Sequence, residues 1–304
     1  MTDPALTHLL KQLASVVLDK DRALRLVVAA LLGRGHVLLE DLPGVGKTTL
    51  ALALARSLGL DFVRVQMTSD LLPGDILGAT VFDPNARQFV FRPGPIFHSI
   101  VLVDEINRAS PRSQSALLEA MAEGQVSLDG ERRPLPDPFF VIATQNPIEH
   151  LGVFPLPESQ LDRFSMVLSL GYPSAAAEAR LLQGERAPLE TLDAVVEREQ
   201  LQSWQGEVGN VFLSAEIRQM LLLLARRSRE DGRVRLGLSP RGLLSLKAMA
   251  QAWAFLAGRD FVQPEDLRVV TTPVLGHRLL LRESGLSGAQ MTALLMQECW
   301  GFGP

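Results

Sequence analysis

Two hydrophobic rhythms run along the chain. From Leu6 to Leu32 apolar residues recur at helical spacing, which predicts an amphipathic helix with a break near Asp19–Asp21. Short apolar runs follow at Val37–Glu40, Phe62–Val65, Ile100–Val103, Phe139–Thr144 and Met166–Leu168. Continuous runs of this kind suit strands of a parallel sheet buried on both faces. Helical segments fall between them, notably Lys47–Leu58 and Pro111–Glu123, so the alternation predicts an α/β fold. Two stretches interrupt it. "VFDPNARQFVFRPGP" (Val81 to Pro95) places a turn between strand-like runs, and "GQVSLDGERRPL" (Gly124 to Leu135) carries Asp129-Gly130, a hairpin signal. Beyond Gly171-Tyr172-Pro173 leucine-rich helical patterns dominate and no further strand run stands out. The expected division is an α/β unit over residues 1–171, with hairpins inserted at about 79–93 and 124–136, and a small all-helical unit over 174–304.

Composition narrows the class. Hydrophobic residues make up 47% of 304, enough for a full core and too many for a disordered chain. Cys299 is the only cysteine, which fits a reducing compartment and excludes a disulfide framework. The opening "MTDPALTHLLKQL" lacks the layout of a secretion signal, and no apolar run reaches bilayer length. A cytoplasmic protein without membrane insertion is expected. The net charge of −4 resides in the first 170 residues, and the arginines at 226, 227, 229, 233 and 235 are broken by Glu230 and Asp231. No nucleic-acid footprint is expected from such a balance. The five histidines and Cys299 show no metal-ligand spacing.

Candidate chemistry begins at "LLEDLPGVGKTTLALALA" (Leu38 to Ala55). A strand breaks into a glycine turn and resumes as a helix, the layout of a phosphate-binding loop. Pro43, Gly44, Val45, Gly46, Lys47, Thr48 and Thr49 form that loop. Its amides would meet phosphate oxygens, Lys47 would reach the outer phosphates, and the Thr48 hydroxyl would hold Mg²⁺. The general pattern carries glycine where this chain has Asp41; a carboxylate there can point away from the phosphates. A second landmark is "SIVLVDEINRAS" (Ser99 to Ser110), an apolar strand ending in Asp104-Glu105. Asp104 can complete the Mg²⁺ shell, and Glu105 can polarise an attacking water. In "FFVIATQNP" another apolar strand ends near Asn146, an amide able to hold that water.

These motifs occur together and in order, and the combination resembles AAA+ ATPases, within them the MoxR family. "DEINRASPRSQSALLEAMAEGQVS", "ATQNPIEHLGVFPLPESQLDRF" and "LSPRGLLSLKAMAQAWAFLAGRDFVQPEDL" are similar to MoxR signature stretches, and the likeness spans about Ala23 to Leu280. The resemblance implies a P-loop AAA+ core followed by a helical lid, with ATP and Mg²⁺ as ligands. It implies a Walker A loop ending at Lys47 and Thr48, a Walker B pair at Asp104 and Glu105, and a sensor Asn146. It also implies an arginine finger at Arg163 and a second sensor at Arg241. Arg108 and Arg112 are alternative trans-acting arginines, and an ion pair with Glu158 or Asp162 is the structural alternative for Arg163. Implied too are a homo-oligomeric, hexameric ring, a von Willebrand factor A domain partner and remodelling of protein clients. The hairpins would face the ring channel, with Phe89, Phe91 and Val126 as client contacts or as local packing. Two rival functions stay open, a nucleic-acid motor of the MCM-like type and a nucleotide-gated scaffold. "GLSGAQ" (Gly285 to Gln290) imitates the signature loop of ABC transporters but follows Asp104 instead of preceding it, and reads as a turn and helix cap.

Overall fold

The computed structural model describes residues 3–147, 152–283 and 285–302. Ile148 to Leu151, within the "ATQNPIEHLGVF" signature, lie outside them. The first helix, α1 (Pro4–Val16), starts on an Asp3 side chain that accepts the Ala5 amide, with Pro4 in its first turn. The break expected near Asp19–Asp21 is there: the chain turns through Asp19 at φ +61° and restarts as α2 (Asp21–Leu32). This elbow has a use. The Asp19 carboxylate accepts the Ser174 amide at 3.0 Å, and the Lys20 ammonium donates to the Tyr172 carbonyl at 2.7 Å. The break therefore holds the segment that leaves the sheet.

The α/β part runs β1 (Val37–Glu40), α3 (Lys47–Ser57), β2 (Phe62–Gln66), α4 (Pro73–Leu77), β3 (Gly78–Asp83), β4 (Gln88–Pro93), β5 (Ile100–Asp104), α5 (Pro111–Glu123), β6 (Gln125–Leu128), β7 (Glu131–Pro134), β8 (Phe140–Gln145), α6 (Glu158–Leu161) and β9 (Met166–Leu168). Five of these strands form one parallel sheet in the order β2-β5-β8-β1-β9. Alternate residues feed two cores. Val37, Leu39, Ile100, Leu102, Phe140 and Ile142 face one side, while Leu38, Val101, Val103, Val141 and Ala143 face the other, against α4 and α5. That double burial explains why these strands read as unbroken apolar runs. The edge strand β2 instead leaves Arg64 and Gln66 exposed.

The inserted hairpins are β3–β4 and β6–β7. They touch: the Thr80 hydroxyl donates to Asp129 at 2.5 Å, and the Arg133 guanidinium lies 4.1 Å from the Phe91 ring centre. Val126 is buried and Phe91 packs edge-on against Phe97, so both are packing residues. Phe89 and its cross-strand partner Phe82 remain 73% and 54% exposed, stacked edge to face at 5.4 Å.

Helices follow: α7 (Ala175–Leu182), α8 (Arg198–Asn210), α9 (Ala215–Glu230), α10 (Pro240–Leu256), α11 (Pro264–Leu275) and α12 (Gly288–Trp300). Between them β10 (Val234–Leu236) and β11 (Leu280–Leu281) form a short antiparallel ladder, which no apolar run in the sequence announced. α10 packs on α2, and the core on that face of the sheet continues from α1–α3 into α8–α12. No helix among the described residues is long and apolar enough to cross a membrane.

Candidate functional site

Because the strands are parallel and in register, their carboxyl ends form one edge: Glu40 pairs with Gln145, and Gln66 with Asp104. Ligands of open α/β sheets bind at such an edge. At the end of β1 the chain passes through Gly44 at φ +84° and Gly46 at φ +98°, conformations that other residues adopt only with strain. Gly46 is the N-cap of α3 and offers no side-chain cap. The first intrahelical bond runs from the Leu50 amide to the Gly46 carbonyl, so the amides of Lys47, Thr48 and Thr49 point outward at a positive helix end. Pro43 and Gly44 are exposed and Val45 to Thr49 half-buried. The Lys47 ammonium folds back on the loop, donating to the carbonyls of Asp41 at 2.8 Å and Leu42 at 3.3 Å. Burial pushes its pKa below the usual lysine value, against the opposing pull of the Asp41, Asp104 and Glu105 charges.

The Asp41 carboxylate points away from the loop, toward the exit of β9. It accepts the Ser169 hydroxyl at 2.6 Å and the amides of Leu170 at 2.6 Å and Gly171 at 2.9 Å. The departure from the general loop pattern is thus a buried pin between β1 and the segment that follows β9.

Asp104 ends β5. The Thr144 hydroxyl on β8 donates to one of its oxygens at 3.0 Å, and Arg64 Nε on β2 donates to the other at 2.6 Å. Glu105 follows in the left-handed region, φ +55°, ψ +52°, and its amide donates to the same Thr144 hydroxyl at 3.0 Å. A glutamate in this conformation costs about 1 kcal/mol or more, and such strain concentrates at functional sites. Its carboxylate accepts from Gln66 Nε2 at 2.7 Å and Arg108 Nε at 3.1 Å. Asn146 is half-buried just past β8, the strand between β5 and β1. The structure therefore brings the loop, Asp104, Glu105 and Asn146 to one sheet edge.

It does not bring Arg163 or Arg241 there. Arg163 donates to the Leu118 carbonyl at 2.8 Å, and neither Glu158 nor Asp162 is its partner: those pair with Arg235 and Arg278. Arg241 is exposed in the first turn of α10, behind the Ser239 cap. Among the described residues neither guanidinium bonds to Lys47, Asp104 or Glu105.

A cleft of about 760 Å³, a size suited to a small ligand, opens beside Glu40 at the end of β1, although none of Pro43–Thr49 lines it. Its walls include Lys20 and Ala23 of the elbow, Glu40 and Leu168 of the sheet, and Thr272 and His277 of α11 and its end. Sequence reading missed this cleft, since its residues come from segments far apart and carry no motif. It missed Arg64 and Gln66 for the same reason, and Thr144, inside "FFVIATQNP", was given no role.

A glycine loop at a helix N-terminus beside a buried strand ending in two acids, on this strand order, defines a P-loop ATPase of the AAA class. The pattern of the "ATPase family associated with various cellular activities (AAA)" matches residues 36–166, and that of the "AAA lid domain" matches 226–297. The chain is 46% identical to Uncharacterized protein YeaC of Bacillus subtilis, over 97% of this chain and 93% of that one. It is 37% identical to Chaperone MoxR1 of Mycobacterium tuberculosis, over 90% and 74% of the two chains. The crystal structure of a protein from Cytophaga hutchinsonii, inferred to be an ATPase, superposes with a TM-score of 0.88 at 32% identity, covering 96% and 93%. The chain belongs to the MoxR family of AAA+ ATPases.

Proposed function

We propose that the chain hydrolyses Mg-bound ATP in a hexameric homo-oligomeric ring and uses the energy to remodel or mature protein clients. The observation that carries this reading is the convergence of Lys47, Asp104, Glu105 and Asn146 at the ends of three neighbouring strands, against the N-terminus of α3. The amides from Gly44 to Thr49 and the Lys47 ammonium receive the phosphates. The nucleoside occupies the cleft between the elbow and α11. Thr48 and Asp104 would hold Mg²⁺, and they fit it: one Asp104 oxygen is engaged only by Arg64, a half-exposed side chain free to swing away. Held there, the ion would supply positive charge to offset that of the phosphates.

Glu105 leaves Gln66 and Arg108 and accepts a proton from the attacking water, which Asn146 orients. Arg163 serves the site of a neighbouring subunit, which fits its bond to the Leu118 carbonyl of α5 instead of to its own loop. Arg241, at the start of α10, turns onto the nucleotide of its own subunit. The name of the Mycobacterium relative supports a chaperone-like output, and the exposed Phe82–Phe89 pair offers a grip on an apolar client segment. A von Willebrand factor A domain partner and a cytoplasmic setting belong to this reading, as does a division into a core over 1–171 and a lid over 174–304. Calorimetric titration tests its base: Lys47→Ala should weaken ATP binding by about a hundredfold, through loss of a charge-assisted contact. Binding at the parent affinity removes Lys47 from the site, and the reading with it.

A further inference from the structure

Arg278, just past α11, is 6% exposed and uses every N–H of its guanidinium. Nε donates to the Asp162 carboxylate at 2.7 Å. Nη2 donates to the carbonyls of Asp162 at 3.1 Å and Phe164 at 2.6 Å. Nη1 donates to the carbonyls of Ser165 at 3.2 Å and Val274. Four of these five acceptors belong to Asp162–Ser165, and the carbonyls on both sides of Arg163 are held. His277 adds a bond from Nε2 to the Phe164 carbonyl at 3.2 Å. The other Asp162 oxygen accepts the Ser239 hydroxyl at 3.0 Å, and Ser239 caps α10 by accepting the Gly242 amide at 2.9 Å. Arg241 lies between those two. Gly242 makes the arrangement possible: a Cβ there would stand 2.9 Å from Arg278 Cδ and 2.5 Å from Leu238 Cδ1.

Stability alone does not call for this arrangement. A buried ion pair is often no more stabilising than apolar residues of the same volume, whereas its directional bonds fix register. Here they fix the backbone of Arg163 against the cap of the helix that carries Arg241. We propose that Arg278 is a positioning residue that links the two arginines, so that the nucleotide met by Arg241 in one subunit sets the Arg163 which that subunit presents to its neighbour. This rests on the reading of Arg163 and Arg241 given above.

The test uses Arg278→Lys, which keeps the charge but cannot reach five acceptors. Its own phosphate loop is untouched, so its ATP dissociation constant stays within about threefold of the parent, while a misplaced arginine lowers kcat about a hundredfold. Mixed rings separate positioning from a local brace, with subunit exchange followed by labels. Mixed equally with Glu105→Gln, Arg278→Lys subunits supply intact sites and Glu105→Gln subunits supply well-placed arginines. Activity then returns at about one interface in four of a head-to-tail ring. Mixed with Arg163→Ala, nothing returns, because both partners lack a placed arginine. Recovery with Arg163→Ala and none with Glu105→Gln shows that Arg278 serves its own subunit's site and overturns the proposal. Recovery with neither, while Arg163→Ala and Glu105→Gln complement each other, reduces Arg278 to a brace and also overturns it. If Arg163→Ala turns over at the parent rate, or fails to complement Glu105→Gln, the reading of Arg163 falls and takes the proposal with it. Should Arg278→Lys not assemble, Gly242→Ala displaces the guanidinium by contact and must give the same mixing pattern.

Discussion

Asp41→Gly would bring the loop closer to the general phosphate-binding pattern, yet the structure predicts that it destabilises the fold. The carboxylate is 5% exposed and accepts three hydrogen bonds, from the Ser169 hydroxyl and the amides of Leu170 and Gly171. Ser169 is exposed and the Gly171 backbone half-exposed, so water replaces much of what those two lose. The Leu170 amide is buried, and a buried donor left without its charged acceptor costs about 1–3 kcal/mol. The added backbone freedom of glycine in the unfolded chain contributes roughly 0.5–1 kcal/mol more. The expected loss is about 3 kcal/mol. Asp41→Asn should lose about half of that, because one amide oxygen still accepts while its NH₂ faces the Leu170 amide. Urea unfolding followed by far-ultraviolet circular dichroism measures both. An Asp41→Gly protein within about 1 kcal/mol of the parent refutes the pin and returns Asp41 to an incidental role.

His36 predicts an acid limit. It is buried, accepts the Val141 amide at Nδ1 and donates from Nε2 to the Met121 carbonyl, and burial pushes its pKa down from 6.5 to about 4. The folded state therefore binds the proton less well than the unfolded state, and stability is full above pH 6.5 and falls as pH drops toward 4, by about 3 kcal/mol in all. His36→Gln should flatten that part of the stability–pH curve; an unchanged slope assigns it to other groups. Arg64→Ala should lower the Mg²⁺ concentration for half-maximal turnover about twofold to fivefold, a modest effect because the Arg64 side chain is 51% exposed. A higher Mg²⁺ requirement would show that Arg64 assists the site instead of competing for Asp104. Glu105→Gln should bind ATP normally, hydrolyse it at least about a hundredfold more slowly, and accumulate as a larger species on sizing with ATP. Parent turnover in that variant rules out Glu105 as the base.

Much of the α/β part was legible because its signals are local. Double burial forces unbroken apolar strands, and those at Val37, Ile100 and Met166 begin where the apolar runs begin. Ser110 and Pro111 open α5, and Ser239 and Pro240 open α10, through the same cap chemistry that marks them in the sequence. The break at Asp19–Asp21 was legible, but what holds the elbow was not: its partners Tyr172 and Ser174 lie more than 150 residues away. The β10–β11 ladder was invisible, since Val234–Leu236 and Leu280–Leu281 are too short to show a period of two.

By itself the sequence determined the local geometry of the glycine loop and of the strand that ends in two acids, for a physical reason. Gly46, Lys47 and Thr48 are adjacent in the chain at the start of one helix, and Asp104-Glu105 need only a buried strand behind them. Tertiary structure alone decided what those groups face. Asp41 became a pin because β9 pairs beside β1, and Arg64 and Gln66 reached the acids because β2 pairs in register with β5. Val126 was buried on the β6–β7 hairpin, whereas Phe82 and Phe89 faced outward on β3–β4. Arg278 came to grip the backbone around Arg163 across more than a hundred residues of intervening chain. Such contacts are set by sheet order and helix packing, which a one-dimensional pattern of residue types constrains only through the whole fold.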